Sequence, residues 1–107
     1  MSSLYTILIP IHNEVAIIGN LLNGLKSYAD EGHEIIIIDD GSNDGSGDVL
    51  KDYNFIKIIT LKENLGKGEA IKKGLFGASK SKIIIFDGDM ELNTSDIKNL
   101  MILNSKK

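Results

Sequence analysis

The sequence of 107 residues contains no cysteine. Disulfide bonds, thiolate metal sites and a cysteine nucleophile are therefore excluded for it. The absence of cysteine also fits the reducing cytoplasm, and we expect that location. A dense cluster of lysine and arginine is missing too, and the net charge is −3. Because nucleic-acid binders usually present a basic face, we expect no nucleic-acid partner.

Long hydrophobic runs are also absent from the sequence. The apolar run at residues 7–11 is too short to cross a bilayer and contains Pro10. No basic segment precedes this run, as one would in a secretory signal peptide. Apolar residues make up 42% of the chain and charged residues 25%, which is the composition of a soluble globular protein. We expect residues 1–107 to form a single domain, because the chain is near the commonest domain size.

Alternating strand and helix patterns predict the fold class. Apolar runs, three of them rich in isoleucine, predict strands at residues 5–9, 35–38, 56–61 and 83–86. Apolar residues at a helical period predict helices at residues 14–28, about 46–53, about 67–78 and from about 94 onward. Asn13 is the expected N-cap of the first helix. The order predicts an α/β fold with an open, mostly parallel, Rossmann-like sheet and helices on both faces.

The residues that follow each predicted strand are the place to look for a site, because ligands of open α/β sheets bind beyond the carboxyl ends of the strands. The turn after the first strand has no glycine, which excludes the Gly-rich dinucleotide fingerprint. Acidic residues follow strands two and four: Asp39, Asp40, Asp44, Asp87, Asp89 and Glu91. Like charges at one rim repel unless a cation or hydrogen-bond donors compensate them. Oxygen ligands favour Mg²⁺ or Mn²⁺, so we expect one of these ions.

Each of these residues also has a purely structural interpretation. The acids after strand four could be ordinary turn residues. The stretch after strand two would form a turn, with Asp44 or Ser46 capping the next helix. Lys67 either neutralises a phosphate at the start of helix three or is a solvated lysine. Glu14 is either a ligand contact or a favourable first-turn acid. No residue in the sequence is an evident partner that would make His12 a general base. We therefore expect His12 to pack against a nucleobase at the rim of the site.

Four stretches resemble the family 2 glycosyltransferases, which have the GT-A fold: residues 9–14, 38–46, 64–68 and 87–89. They occur in the family's order, and residues 64–70 and 87–92 look most like the branch of dolichyl- and polyprenyl-phosphate mannosyl- and glucosyltransferases. The resemblance implies a hexosyltransferase domain that binds a UDP- or GDP-sugar through Mg²⁺ or Mn²⁺. It further implies a polyprenyl-phosphate or glycan acceptor, a role in cell-wall or polysaccharide biosynthesis, and a place in the cytoplasm or at the inner face of the membrane.

The resemblance also implies roles for individual residues. Asp40 contacts the base, Asp87 lies near the ribose and the metal, and Asp89 is the principal metal ligand. The implied nucleotide-sugar site comprises Pro10, His12, Asn13, Glu14, Asp40, Gly41, Ser42, Lys67, Asp87, Gly88 and Asp89, and the implied metal ligands are Asp87, Asp89 and Glu91. Two residues depart from the family: His12 stands where an aromatic is usual, and Glu91 stands where the branch often has Gln. The family's catalytic base lies in the second half of its domain, and we assign no residue to it here.

Other functions stay open at this point. A phosphatase of the haloacid dehalogenase type also has an apolar strand followed by Asp-x-Asp, but Glu91 replaces its Thr. A receiver-type signalling domain would need an Asp after strand three, where the sequence has Lys62-Glu63-Asn64. A non-catalytic nucleotide-binding or assembly module would differ from the enzyme in turnover alone. In the family's sheet order strand four lies beside strand one and would here form an apolar edge, so we expect a homo-oligomer that covers it.

Overall fold

Strands and helices alternate through the computed structural model, which describes residues 4–86 and 94–105. The elements are β1 (Tyr5–Ile11), α1 (Val15–Asp30), β2 (Glu34–Asp40), α2 (Ser46–Leu50), β3 (Lys57–Leu61), α3 (Lys67–Gly77), β4 (Lys82–Ile85) and α4 (Ser95–Ser105). Every predicted element is present, with its ends shifted by at most three residues. Among the described residues, none of the helices combines the length and the apolar character that crossing a bilayer requires.

The four strands form one parallel sheet in the order β3-β2-β1-β4. Ile9 of β1 is paired with Ile37 of β2, and Ile7 of β1 is paired with Ile84 of β4. All seven residues of β1 are buried, because it lies between two strands and under helices on both faces. The predicted parallel sheet, and the predicted position of β4 beside β1, are confirmed.

The two faces of the sheet carry separate apolar cores, since successive side chains of a strand point to opposite faces. On one face Ile7 and Ile37 pack with Ile18 and Leu22 of α1. On the other face Leu8, Ile36 and Ile38 pack with Ala70 of α3. The expectation of helices on both faces is therefore confirmed, and α3 begins at the carboxyl edge of the sheet, where the site was expected.

The start of α4 is held against α1 by Tyr28. The Tyr28 hydroxyl donates to the carbonyl oxygen of Thr94 at 2.6 Å and accepts from the backbone N–H of Lys98 at 3.2 Å. Burial raises the pKa of this hydroxyl, which therefore stays a donor at neutral pH. Thr94 also packs closely against Gly24, where any side chain would clash, because a Cβ there would lie 2.2 Å from Thr94 Oγ1. Contacts with α1 thus fix the position of the start of α4.

The amino ends of the strands are joined through the carboxylate of Glu34, whose side chain is 7% exposed. Its Oε1 accepts from the Thr6 hydroxyl at 2.6 Å and from the Ser79 N–H at 2.7 Å, and its Oε2 forms a salt bridge with Lys57. Burial favours the neutral acid, but the bonds from Lys57, Ser79 and Thr6 outweigh it and lower the pKa of Glu34 to about 2. This network lies at the edge of the sheet opposite the expected site, and we assign it to stability.

Candidate functional site

A cleft of about 260 Å³ opens where β1 and β2 end and α3 begins. It lies at the carboxyl edge of the sheet, as expected for this class of fold. Its lining comprises Pro10, Ile11, His12, Glu14, Asp40, Asn64, Gly66 and Lys67. Five of these residues belong to the site predicted from the sequence: Pro10, His12, Glu14, Asp40 and Lys67.

The imidazole of His12 has a defined tautomer. Its Nδ1 lies 2.7 Å from the carbonyl oxygen of Asp40, and because that oxygen can only accept, Nδ1 carries the hydrogen. Its Nε2 lies 3.2 Å from Asn13 Nδ2 and accepts from that amide. The ring is thus held between the loop after β1 and the end of β2, with its plane available at the rim of the cleft.

Asn13 joins two loops and does not cap α1. Its N–H donates to Ser42 Oγ at 2.9 Å, and its Oδ1 accepts from the N–H of Asn43 at 2.8 Å. Its φ of 52° is in the left-handed region, which asparagine tolerates better than most residues. The prediction of Asn13 as N-cap is therefore wrong, because its side chain bonds to the loop after β2 instead of to the helix that follows it in sequence.

The first N–H groups of the α1 segment are satisfied by side chains from the loop after β2. The N–H of Glu14 donates to Ser46 Oγ at 3.1 Å, and the N–H of Val15 donates to Asp44 Oδ2 at 3.0 Å. Asp44 Oδ1 also accepts from the hydroxyl of Ser46 at 2.5 Å, and this bond is the main reason that the pKa of Asp44 is lowered. Sequence reasoning missed this long-range cap, for which the recurrence of Ser and Asp in residues 42–46 was the available signal.

Asp40 holds the loop between β3 and α3. Its Oδ1 accepts from the N–H of Leu65 at 2.8 Å and its Oδ2 from the N–H of Gly66 at 3.0 Å, while the residue is 4% exposed. Its carbonyl oxygen also accepts from Asn64 Nδ2 at 3.3 Å. A carboxylate oxygen has more than one lone pair, so the expected contact of Asp40 with a base stays a prediction beside this structural role.

Gly41 and Ser42 lie outside the lining of the cleft. Gly41 has a φ of +70°, and a Cβ there would come within 2.4 Å of the backbone of both Glu63 and Asn64. The backbones of the two loops can meet because this residue has no side chain. Ser42, as described above, accepts from the N–H of Asn13. Both residues shape the cleft through the loops, and their direct contact with a nucleotide stays a prediction.

Asp39 faces away from this cleft. Its Oδ1 accepts from the N–H of Ser42 at 3.0 Å, and the residue is 2% exposed. It lines a separate groove of about 600 Å³ beside α2, together with Lys51 and Thr60. Neighbouring residues of a strand point to opposite faces, which separates Asp39 from Asp40. The expectation that all the acids crowd one rim is therefore wrong for Asp39, whereas Asp44 binds the start of α1.

The acidic motif after β4 lies outside the described residues, so Asp87, Gly88, Asp89 and Glu91 stay predicted site residues. Phe86, directly before them, is 1% exposed and donates its N–H to the carbonyl oxygen of Leu8 at 2.9 Å. The chain is thus still bound to β1 where the motif begins. Within the described ranges, no group of three or more His, Asp or Glu side chains is placed to hold a metal ion.

The start of α3 makes the described part of the cleft favourable for anions. Gly66 and Lys67 line the cleft, and Gly66 caps the helix without a side-chain hydrogen bond. The first N–H groups of a helix have no partner within it, and the helix dipole favours negative charge there. Asn64, Gly66 and Ile11 were not among the predicted site residues, although their positions directly after β3 and within the end of β1 were the signal for them.

Comparison with known proteins gives a family match over most of the chain. The family model described as "Glycosyl transferase family 2" matches residues 6–102. The uncharacterized glycosyltransferase YkcC of Bacillus subtilis (strain 168) is 32% identical over 94 residues, which are 81% of this chain and 29% of that protein. The dolichyl-phosphate beta-glucosyltransferase of Homo sapiens is 28% identical over 109 residues, covering 89% of this chain and 34% of that protein. The chain thus spans about a third of the length of these relatives.

A solved structure shares the fold. The mannosyltransferase PcManGT from Pyrobaculum calidifontis, solved in complex with GDP-Man and Mn²⁺, matches with a TM-score of 0.74 and 21% identity. The match covers 83% of this chain and 28% of that one. The predicted Rossmann-like fold is therefore confirmed by a structural neighbour as well as by the strand order.

Proposed function

The chain belongs to glycosyl transferase family 2, and we propose that it binds a nucleoside-diphosphate sugar, linked to UDP or GDP, in the cleft at the carboxyl edge of its sheet. The observation that carries the proposal is that the start of α3, with Lys67, meets His12 and Pro10 in one cleft. An anion-favouring helix start and a flat ring at the opposite rim are what a diphosphate joined to a base requires. Family membership favours this function over the phosphatase and the signalling domain.

The diphosphate is assigned to the α3 side of the cleft. Lys67 supplies positive charge, and the backbone near Gly66 allows close approach because a Cβ at Gly66 would have no neighbour within 4 Å. Asp40 supports this arrangement by fixing the N–H groups of Leu65 and Gly66. A buried carboxylate that holds the loop keeps the anion site formed before the ligand arrives, which reduces the ordering that binding requires.

The base is assigned to the β1 side of the cleft. The ring of His12, fixed by Asp40 and Asn13, offers a face on which a base packs, and Pro10 and Glu14 lie beside it. Gly41 and Ser42 act by holding the loops that carry these residues. His12 replaces an aromatic residue that is usual in the family, so packing here depends on a smaller ring.

The described cleft offers phosphate oxygens the start of α3 and Lys67. Of its two carboxylates, Asp40 is already engaged by two N–H groups and Glu14 lies on the β1 side. We assign the metal to Asp87, Asp89 and Glu91, with Gly88 allowing close approach. Carboxylates together with substrate phosphates are the usual ligands of Mg²⁺ and Mn²⁺, and Mn²⁺ is present in the complex of PcManGT. When bound, the ion neutralises the charge that develops on the leaving diphosphate.

We propose a lipid phosphate as the acceptor, with a saccharide hydroxyl as the alternative. The human relative is a dolichyl-phosphate glucosyltransferase. A phosphate monoester with a second pKa of about 6 is largely ionised at neutral pH and attacks without a general base, whereas a hydroxyl needs one. A lipid acceptor also fits a cytoplasmic protein peripheral to the inner face of the membrane. The competing proposal is a non-catalytic nucleotide-binding or assembly module, which multiple turnovers by the 107-residue chain would exclude.

A thermal-shift screen of UDP- and GDP-sugars, with and without Mn²⁺, tests the proposed function. A ligand that binds only the folded form at a hundred times its Kd stabilises it by about 2.7 kcal/mol. For a domain of this size we expect the melting temperature to rise by about 10 °C with the matching sugar nucleotide and Mn²⁺. Asp89→Ala should remove the Mn²⁺-dependent part of the rise.

The matched control is Asp52→Ala, which removes an exposed acid at the end of α2. It should leave the Mn²⁺-dependent rise unchanged. A screen in which no sugar nucleotide raises the melting temperature would contradict the proposed function, and an unchanged rise in Asp89→Ala would contradict the metal assignment alone.

The exposed edge of the sheet supports the proposal of a homo-oligomer. Within the described residues β4 pairs with β1 alone, and Ile85 on β4 is 49% exposed. Because unpaired strand edges bind other strands, we expect light scattering to give at least twice the mass of one chain. Ile85→Lys places a charge on that edge and should give the monomer mass, whereas a stable wild-type monomer at high concentration would contradict this proposal.

A further inference from the structure

The outer face of α3 carries an exposed aromatic side chain. Phe76 is 89% exposed and its neighbour Leu75 is 45% exposed, while the inner face of the helix is buried on the sheet through Ala70 and Gly74. The side of α3 that packs on the sheet therefore does not include Phe76. The ring of Phe76, on the opposite side, thus adds little to packing within the described part of the chain.

The surroundings of Phe76 are basic although the protein is acidic. The helix α3 itself carries Lys67, Lys72 and Lys73 against a single acidic residue, Glu69, whereas the whole chain has a net charge of −3. Lys72 and Lys73 lie four and three positions before Phe76, which places all three on one side of the helix. Lys72 is exposed and forms a surface salt bridge with Glu69 at 3.2 Å, and Lys73 is exposed. An exposed pair of this kind is weak and yields readily to a stronger anionic partner.

We propose that the outer face of α3, formed by Lys72, Lys73, Leu75 and Phe76, docks on the anionic surface of a lipid bilayer. Lysines that face acidic headgroups, together with an aromatic side chain that enters the interface, are the combination that holds helices on membrane surfaces. Charge complementarity selects this partner, because the exposed Lys72 and Lys73 beside the exposed ring of Phe76 match the acidic headgroups and the apolar interface of an anionic bilayer. The inference names the surface for the membrane-peripheral location in the proposed function, but it requires neither nucleotide nor metal.

The direction of α3 connects this surface with the cleft. Lys67 begins the helix at the cleft, and Phe76 lies nine residues later, about 14 Å along the helix axis. A bilayer that contacts the outer face of α3 therefore lies beside the helix, with Phe76 about 14 Å along the axis from the end that lines the cleft.

Vesicle sedimentation tests the docking surface. We expect the protein to sediment with vesicles of phosphatidylcholine and phosphatidylglycerol but not with phosphatidylcholine alone, and to be released by salt. Phe76→Ser and the double variant Lys72→Gln/Lys73→Gln should each lower the bound fraction at least about fivefold. The control Lys26→Gln/Lys51→Gln removes the same charge from exposed positions on α1 and at the end of α2, on the side away from α3, and should bind like wild type.

Phe76→Trp adds a direct reading, because the chain has no other tryptophan. Its emission should shift to the blue with the mixed vesicles and be quenched by brominated acyl chains. An unshifted emission, or wild-type binding by Phe76→Ser, would overturn the proposal. Loss of self-association in Phe76→Ser without vesicles would also overturn it, since the face would then belong to a second copy. The thermal shift with sugar nucleotide should be the same in Phe76→Ser, so failure here is separable from failure of the proposed function.

Discussion

Replacing Gly41 with alanine should destabilise the protein by about 3–4 kcal/mol. Gly41 has a φ of +70°, and alanine in the left-handed region is strained by about 1–2 kcal/mol. The new Cβ would also lie 2.4 Å from backbone atoms of Glu63 and Asn64, so the loop must move. That movement breaks the hydrogen bonds from Leu65 and Gly66 to the buried carboxylate of Asp40, each of which contributes about 1 kcal/mol or more.

Two other glycines on the same segment separate the causes. Gly66 has a φ of +96° and a ψ of 157°, a conformation nearly restricted to glycine, and no neighbour within 4 Å of a built Cβ, so Gly66→Ala measures the strain alone, at about 1–3 kcal/mol. Gly68 lies in α3 with open space around it, and Gly68→Ala should be neutral or stabilise by up to about 1 kcal/mol. Urea denaturation measures all three. A loss for Gly41→Ala no larger than that for Gly66→Ala would show that the two loops do not depend on this close approach.

Replacing Glu34 with glutamine should destabilise the protein by about 3 kcal/mol near neutral pH. The carboxylate accepts from Thr6 and Ser79 and pairs with Lys57, so it joins β2 to β1, to β3 and to the turn before β4. Glutamine keeps the shape but removes the negative charge beside Lys57. The lowering of the Glu34 pKa from 4.5 to about 2 corresponds to about 3 kcal/mol of stabilisation of the charged form.

The lowered pKa of Glu34 determines how the free energy of unfolding changes with pH. Between pH 2 and pH 4.5 the unfolded chain binds a proton at Glu34 that the folded chain does not, so stability falls as the pH is lowered through this window. The stabilisation is fully present above pH 4.5 and is lost as the pH approaches 2. The difference in free energy of unfolding between wild type and Glu34→Gln should therefore shrink on acidification, as measured by urea titrations from pH 6 to 3. Glu63→Gln, at an exposed residue, is the control; an equal, pH-independent loss in both variants would refute the assignment.

The sheet and its helices could be predicted from the sequence, because they rest on local patterns. Runs such as Ile35 to Ile38 exclude a surface strand, and the spacing of Ile18, Leu21, Leu22 and Leu25 excludes an irregular segment. The element ends were less well predicted: α2 ends at Leu50, three residues early. Helix ends depend on which side chains reach them, and for α1 these come from Asp44 and Ser46, in the next loop.

The position of the cleft was predicted more accurately than the interactions of the residues that line it. Pro10, His12, Glu14, Asp40 and Lys67 do share a cleft, because parallel strands end at one edge. The different contacts of Asp39 and Asp40, however, could not be predicted from the sequence, because the two residues are identical neighbours. One faces a groove beside α2 and the other holds the loop after β3, and this difference follows from the pleat of β2 within the packed sheet.

The sequence by itself therefore determined the element order, the buried strands and the edge at which chemistry is to be sought, since hydrophobic period and turn composition act between residues close along the chain. Only the tertiary structure decided that Asp44 and Ser46 cap the start of α1 and that position 41 has no room for a side chain. The physical reason is register: Ile11 is paired with Asp39 and Asp40 with Leu61, so the loops that follow β1, β2 and β3 leave the sheet side by side. Contacts between residues more than twenty positions apart arise from that pairing and leave no local pattern in the sequence.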